Sequence, residues 1–166
     1  MTAPARAALK SVLRIFPRFP RGEITPGLAL ALVILASLAF HLAWGAALEA
    51  SNDEAYHFLY TKYSDLSYFD HPPMTAWIAK AGLLICGNQV SPFSLRLGFV
   101  LMFAASTWVL AQWTARWFGK WAGVYAAILL NISGYHAMAG GFALPDVPYL
   151  FFALLTMWAL GEALVA

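Results

Sequence analysis

Four carboxylates cluster in a short polar stretch, residues 51–77, of a chain that is otherwise mostly apolar. They are Asp53, Glu54, Asp65 and Asp70, half of the eight acidic residues. A carboxylate in such a place can act as a general base or can cap a helix. Ser51-Asn52-Asp53-Glu54 fits a capping box, which predicts a helix over about residues 52–65. Asp53 and Glu54 could then merely complement the helix dipole, and both roles remain open.

A proline pair ends the segment Tyr68-Phe69-Asp70-His71-Pro72-Pro73. Proline fixes φ and disfavours a helical residue before it, so the pair predicts a rigid turn. Such a turn would present Asp70 and His71 at a set depth, although an ordinary solvated turn explains the same residues. The acids and histidines also suggest a metal site, but they show no recognised ligand spacing. We therefore predict no metal-binding residue.

Asp146 is the only acidic residue between Asp70 and Glu162, and a proline precedes it in the chain. An Asp at the start of a helix is an ordinary N-cap. An ionised group beside hydrocarbon is costly, however, and is often functional. Both interpretations remain open for Asp146.

The composition indicates a helical membrane protein. Hydrophobic residues make up 61% of the 166 residues and charged residues 11%, against roughly 45–50% apolar residues in soluble domains. A soluble fold of this size could not bury so much apolar surface. The single cysteine, Cys86, excludes an internal disulfide and a cysteine-based zinc site. No nucleotide fingerprint or nucleic-acid-binding stripe is present, so no nucleic-acid partner is expected.

Four apolar runs predict membrane spans. Residues 27–48 contain no Asp, Glu, Lys or Arg, and at about 1.5 Å per residue they can cross a hydrocarbon core of about 30 Å. The other predicted spans are residues 95–116, 121–140 and 146–166. Residues 74–87 form a shorter apolar piece, which we predict to be interfacial or re-entrant. The predicted fold is all-α, with about four spans and an external loop of interfacial helices over residues 49–94.

The basic residues predict the orientation of these spans. Five of them lie in residues 1–26, and Arg116 and Lys120 flank the turn between the second and third spans. The positive-inside rule then makes the amino terminus and that turn cytoplasmic. The loop over residues 49–94 and the turn at Asp146 would both lie outside. The basic segment itself is equally compatible with an interfacial helix and with a disordered arm.

Four blocks in this order resemble the amino-terminal part of the GT-C membrane glycosyltransferases. The blocks are Asn52-Asp53-Glu54-Ala55-Tyr56, residues 68–77, Ser94-Leu95-Arg96-Leu97 and residues 144–152. The resemblance is greatest to glycosyltransferase family 39, the protein mannosyltransferase-like group that includes aminoarabinose transferases acting on lipid A. It covers about residues 27–166.

The resemblance implies a polyprenyl-phosphate-linked sugar as donor and a protein, lipid or polysaccharide as acceptor. It also implies an active site on the periplasmic face of a bacterial inner membrane. Asp53 matches the catalytic aspartate of the family, with Glu54 beside it, and Asp146 matches a second active-site aspartate. His71 stands where aminoarabinose transferases carry a lysine that meets the lipid phosphate, and Tyr68 matches a nearby tyrosine.

The chemistry that the resemblance implies assigns roles to these residues. We expect Asp53 to be the base that takes the acceptor proton, which predicts inversion at the anomeric carbon. Glu54 and Asp146 would orient the acceptor or an ion. Positive charge at the departing phosphate could come from one of three side chains or from a divalent cation, and the sequence does not choose. The three side chains are Lys80, Arg96 and protonated His71, with Asp70 in the same turn.

The resemblance implies further spans beyond Ala166. We therefore expect this chain to be the amino-terminal portion of an enzyme, or a short form without turnover of its own. The alternative is a small non-enzymatic membrane protein, for example a lipid-binding or assembly subunit, in which the acids are helix caps. A transporter segment is less favoured because the acids cluster at one interface and not at mid-membrane.

Overall fold

Seven helices make up the regular structure of residues 24–165, the part of the chain that the computed structural model describes. They are α1 (Pro26–Ala47), α2 (Asn52–Lys62), α3 (Met74–Ile85), α4 (Pro92–Phe118), α5 (Lys120–Ile132), α6 (Gly134–Ala139) and α7 (Asp146–Ala163). The predicted all-α class is confirmed over this range. Most of the predicted basic segment, residues 1–23, lies outside the described residues.

Two helices, α1 and α4, are long and apolar enough to cross a membrane. The side chain of Thr25 caps α1 by accepting a hydrogen bond from the amide of Leu28 at 3.2 Å, and Pro26 occupies the first helical position, where it costs no hydrogen bond. Much of the apolar surface of α1 is exposed, whereas α4 is buried over half of its apolar window. α3 has 12 residues, which at about 1.5 Å per residue is too short for a hydrocarbon core of about 30 Å.

The predicted span over residues 121–140 is interrupted in the structure. α5 ends at Ile132, Ser133 is extended, and α6 begins at Gly134. Serine and glycine have low helix propensity, which explains a break at this point. Asn131 donates hydrogen bonds to the hydroxyl of Thr107 and to the carbonyl of Ala127, so its polar side chain is used within the bundle. The helix predicted over residues 52–65 likewise ends earlier, at Lys62.

The central element is α4, which packs against α1, α3, α5 and α7. The main cluster of buried apolar residues comprises Ile78, Ala79, Leu95, Phe99, Phe103, Leu130, Ala143 and Val147. Near the carboxyl end of α4, the guanidinium of Arg116 pairs with Glu162 of α7 at 3.1 Å. α2, α3 and the turn before α7 gather at the opposite, amino-terminal end of α4, where Glu54 of α2 contacts both Arg96 and the turn.

The crossing of α3 and α4 depends on two glycines. A Cβ atom at Gly98 would lie 2.5 Å from the carbonyl oxygen of Ile78, and one at Gly82 would lie 2.4 Å from that of Ser94. We predict that Gly98→Ala pushes the helices apart and lowers the free energy of unfolding by about 1–3 kcal/mol, as overpacked cores do. Thermal unfolding in detergent would measure this. Gly27→Ala is the matched control, because a Cβ at Gly27 meets nothing within 4 Å. Equal stability of both variants would contradict the close crossing.

Candidate active site

The site is built on the first turn of α2. Ser51 is the N-cap, and its hydroxyl accepts the amide hydrogen of Glu54 at 3.3 Å. The carboxylate of Glu54 returns to accept the amide hydrogen of Ser51 at 3.0 Å. The predicted capping box is therefore confirmed. With these two hydrogen bonds the side chain of Glu54 points into the interior of the protein, where it is 0% exposed.

Arg96 of α4 meets Glu54 in the interior and is itself 1% exposed. Its Nε donates to Oε1 of Glu54 and its Nη2 to Oε2, both at 2.7 Å, in a bidentate pair. The remaining donors reach the carbonyl oxygens of Gly45, Leu48 and Glu49 at 3.0, 2.7 and 2.8 Å. All five N–H donors of a guanidinium are thus used. As placed here, Arg96 holds the end of α1 against α2 and α4 and offers no free donor to a substrate phosphate.

The charge of Glu54 is fixed by these contacts. Burial opposes ionisation, but the hydrogen bonds from Arg96, from the amide of Ala143 and from the amide of Ser51 outweigh it and lower the pKa of Glu54 below its ordinary value. Glu54 is therefore an anionic partner inside the protein. In this arrangement its carboxylate has no access to an external substrate, so it can orient neighbouring groups more readily than it can act as a base.

Ala143 joins α2 to the turn that precedes α7. Its amide donates to Oε1 of Glu54 at 2.9 Å, and its carbonyl oxygen accepts a hydrogen bond from Nδ1 of His57 at 2.9 Å. Asp53 directly precedes Glu54, and Asp146 lies three residues after Ala143. The two aspartates therefore belong to segments that touch at one end of the bundle.

Asp53 itself is exposed, unlike its neighbour Glu54. Within residues 24–165 its carboxylate makes no side-chain hydrogen bond or ion pair. It lies near enough to His57 that its charge favours the protonated imidazole. An exposed carboxylate without a protein partner can accept a hydrogen bond from a bound hydroxyl.

Asp70 and His71 lie beside α2, because the proline-rich turn folds back on it. The carboxylate of Asp70 accepts hydrogen bonds from the hydroxyls of Tyr60 and Tyr56, and its Oδ1 lies 3.1 Å from Nδ1 of His71. The bonds from Tyr60, His71 and Tyr56 outweigh partial burial and lower the pKa of Asp70 to about 2. Burial and the bond to Asp70 in turn raise the pKa of Tyr60. Asp70 is thus anionic at neutral pH, and its carboxylate lies against the ring of His71.

Tyr68 braces the connection between α2 and α3. Its ring stacks on that of Tyr60, with centroids 4.0 Å apart. Its hydroxyl oxygen lies 3.0 Å from the carbonyl oxygens of Tyr60 and Tyr63 and accepts the amide hydrogen of Asp65 at 3.1 Å. In this structure Tyr68 therefore stabilises the turn that carries Asp70 and His71.

Asp146 begins α7, but it is not the N-cap. Pro145 occupies that position and makes no side-chain capping bond, so the interpretation of Asp146 as an N-cap is wrong. Its carboxylate instead accepts a hydrogen bond from the hydroxyl of Tyr135 on α6. Asp146 lines a cavity of about 270 Å³ together with aromatic and apolar residues. Among these are Phe103, Tyr135, His136, Tyr149 and Leu150.

Several site residues were missed by the sequence analysis, namely Tyr56, His57, Tyr60, Tyr135 and His136. The spacing of Tyr56 and Tyr60 places them one turn apart on α2, but their contact with Asp70 arises only when the later turn folds back. Residues 24–165 contain no group of three or more His, Cys, Asp or Glu that could hold a metal ion. The roles predicted for Asp53, Glu54, Tyr68, Asp70, His71, Arg96 and Asp146 stay predictions.

Comparison with known proteins identifies the family. A family model described as dolichyl-phosphate-mannose-protein mannosyltransferase matches residues 70–165, more than half of the chain. The match includes Asp70, His71, Arg96 and Asp146, whereas Asp53 and Glu54 precede it. No curated protein and no solved structure matches the chain. This family is of the GT-C type, so the resemblance noted in the sequence is confirmed. The chain therefore belongs to the dolichyl-phosphate-mannose-protein mannosyltransferase family.

Proposed function

We propose that this chain contributes to a membrane glycosyltransferase that moves a sugar from a polyprenyl-phosphate donor to an acceptor outside the membrane. The observation that carries the proposal is the contact between α2 and the turn before α7. This contact brings an exposed carboxylate, Asp53, to the same end of the bundle as Asp146. The turn holding Asp70 and His71 lies against the same helix.

Asp53 is the proposed base. It takes the proton of the acceptor hydroxyl while the oxygen attacks the anomeric carbon, and the bond from that carbon to the phosphate oxygen breaks. The polyprenyl phosphate leaves with the bonding electron pair, and the configuration at the anomeric carbon inverts. The fixed position of Glu54 supports this assignment, because an anchored neighbour holds Asp53 in place. Asp146, with Tyr135 on its carboxylate, would orient the hydroxyls of the acceptor or the sugar.

His71 is the proposed cation for the departing phosphate. Asp70 pairs with its Nδ1 at 3.1 Å, which leaves Nε2 to meet a phosphate oxygen when the ring is protonated. Lys80 is a second candidate cation, and in this structure its ammonium donates to the hydroxyl of Ser64 at 2.7 Å. Arg96 takes no part in this step, because its donors are used within the protein.

The function can be tested by sugar transfer in membranes that contain the complete enzyme. We expect transfer from polyprenyl-phosphate-linked sugars and none from the corresponding nucleotide sugars. In the same assay His71→Lys should keep transfer at neutral pH, whereas His71→Ala should slow it because the phosphate loses its positive partner. Lys62→Ala is the matched control, since Lys62 is an exposed cation that lies over the ring of Phe58. Transfer from nucleotide sugars, or equal rates for all three variants, would contradict the proposal.

We propose a four-span arrangement for this chain. α1, α4, the interrupted pair α5 and α6, and α7 would cross the bilayer in turn, with Arg116 and Lys120 on the cytoplasmic side. The antiparallel pairing of α4 and α5 across the one-residue link at Gly119 supports this course of the chain. The site would then lie on the outer, periplasmic face.

The exposed surface of α2 supports an interfacial position for this helix. Glu54, His57 and Thr61 follow an i, i+3, i+7 pattern and are buried, so the polar face of α2 points into the protein. The exposed side carries large apolar residues, which continue into the following turn. They are Leu59, Tyr63, Leu66 and Phe69, exposed by 52, 77, 79 and 103%, and we call them the α2 apolar surface. Exposed apolar side chains of this size favour an apolar neighbour, and the lipid interface lies close because only residues 48–51 separate α1 from α2.

Spin labels can test whether the α2 apolar surface contacts lipid. In a Cys86→Ser background, single labels at Leu66 and Phe69 should collide more often with dissolved oxygen than with a water-soluble nickel complex. A label at Ser64, a polar residue outside the α2 apolar surface, is the control. It should collide more often with the nickel complex than with oxygen. Labels at Leu66 and Phe69 that are immobilised and protected from both reagents would indicate a protein neighbour and contradict the lipid contact.

A further inference from the structure

His57 is a buried titratable residue for which the proposed chemistry has no use. It lies one turn after Asp53 on α2 and is 2% exposed. Its Nδ1 lies 2.9 Å from the carbonyl oxygen of Ala143, so Nδ1 carries the proton and acts as the donor. Its Nε2 is buried without a hydrogen-bond partner in residues 24–165. Only one of its two nitrogens is therefore engaged.

Ala143 depends on α2 for both of its backbone hydrogen bonds. It is 0% exposed and lies between α6 and α7, outside any helix. Its amide donates to Glu54 and its carbonyl oxygen accepts from His57, two side chains that are three positions apart on one face of α2. A buried backbone group without a hydrogen-bond partner is destabilising. The polar face of α2 therefore determines where this turn lies.

The turn leads to Asp146 within three residues. Only Leu144 and Pro145 separate Ala143 from Asp146. A shift of Ala143 would be passed along this short segment to the start of α7 and would change where Asp146 lies relative to Asp53, which belongs to α2. Misplacement of catalytic groups by about 1 Å can reduce a rate about 10²-fold.

We propose that His57 is a positioning residue that sets the separation of Asp53 and Asp146 by holding the carbonyl of Ala143. The inference rests on the proposed function, because that function gives the separation its importance. His57 does this as a neutral ring: burial outweighs the bond to Ala143 and the nearby carboxylates and lowers the pKa of His57. No proton transfer through Nε2 is required.

Three substitutions separate this role from others. In His57→Asn the side-chain amide nitrogen lies the same number of bonds from Cα as Nδ1, so it can donate to Ala143, but no counterpart of Nε2 remains. In His57→Gln the amide nitrogen matches Nε2 instead. His57→Leu removes both ring nitrogens, and with them the donor to Ala143, while keeping apolar volume. The positioning role predicts that His57→Asn keeps the hydrogen bond to Ala143 and the transfer rate, whereas His57→Gln and His57→Leu lose both.

Two measurements on the complete enzyme test the inference. Hydrogen exchange of the amides of residues 141–144 should remain slow in His57→Asn and become faster in His57→Gln and His57→Leu. Sugar transfer should remain close to the unsubstituted rate in His57→Asn and fall about 10²-fold in the other two. Thermal unfolding identifies any variant that fails to fold. Among folded variants, the comparison of His57→Asn with His57→Gln decides whether the donor at the Nδ1 position is what the turn needs.

The outcomes that would overturn the inference are distinct. Unchanged exchange in His57→Leu would show that His57 does not hold the turn. Slow exchange with lost transfer in His57→Asn would show that the ring takes part in chemistry and is not a positioning residue. If the unsubstituted enzyme transferred no sugar, or if Asp53→Asn retained transfer, the proposed function would fail while the exchange measurement still tested the contact.

Discussion

Asp53→Asn should abolish sugar transfer while leaving the protein folded. A general base contributes about 10²–10⁴-fold to a rate, and the amide of asparagine cannot take the proton of the acceptor. The loss of stability should be small, because the carboxylate is exposed and makes no side-chain hydrogen bond within residues 24–165. A helix-end charge is worth about 1 kcal/mol or less. Initial rates with a polyprenyl-phosphate-linked sugar and unfolding temperatures of the same preparations measure both effects.

The matched control for Asp53 is Asp65→Asn. Asp65 is also an exposed acid in the segment between α1 and α4, and within residues 24–165 its carboxylate accepts one hydrogen bond, from the amide of Leu66. Its substitution should leave the transfer rate unchanged. If Asp53→Asn retained the full rate, the base would have to be a different group, and the assignment made here would be wrong.

Glu54→Ala should cause a large loss of stability, in contrast to Asp53→Asn, which should affect the transfer rate and leave the protein folded. Removing one partner of a buried ion pair costs about 3–5 kcal/mol, because the other charge stays in the interior without compensation. Here the variant leaves two donors of Arg96 unpaired, together with the amides of Ser51 and Ala143. Chemical or thermal unfolding in detergent measures the change. Any loss of transfer in this variant should accompany the loss of stability.

The matched control for this pair is Arg116→Ala. Arg116 and Glu162 form the same type of ion pair at 3.1 Å, but their side chains are 61 and 40% exposed. Breaking an exposed pair should change the unfolding temperature little, because water and salt screen the charges. Equal effects of Glu54→Ala and Arg116→Ala would mean that Glu54 does not anchor α2 in the interior.

The contrast between Asp53 and Glu54 shows what the sequence could and could not predict. The capping box is a local pattern, so the start of α2 followed from the order of Ser51 and Glu54. The same pattern does not say which way Glu54 points. That depends on Arg96, which is 42 positions later, and periodicity does not reveal such a partner. Both Glu54 and Arg96 matched a family block, but the roles expected for them did not include pairing with each other.

Other parts of the site depend on long-range contacts in the same way. The rigid turn at Pro72 and Pro73 could be predicted because proline acts locally on the backbone. The contact of Asp70 with Tyr60 requires that turn to fold back on α2, which the sequence does not specify. Asp146 was expected at the start of a helix, and it is there, but its bond to Tyr135 depends on the break between α5 and α6. A continuous helix over residues 121–140 was the simpler expectation from an apolar run.

The most direct test of this account is the side of the membrane on which Asp53 and Asp146 open. In a Cys86→Ser background, Asp53→Cys and Asp146→Cys can be treated in intact cells with a membrane-impermeant maleimide, with Lys120→Cys as the cytoplasmic control. The account predicts that both aspartate positions react from outside and that position 120 reacts only after the membrane is permeabilised. Reaction of Asp146→Cys only after permeabilisation would place the two carboxylates on opposite faces and contradict a shared site.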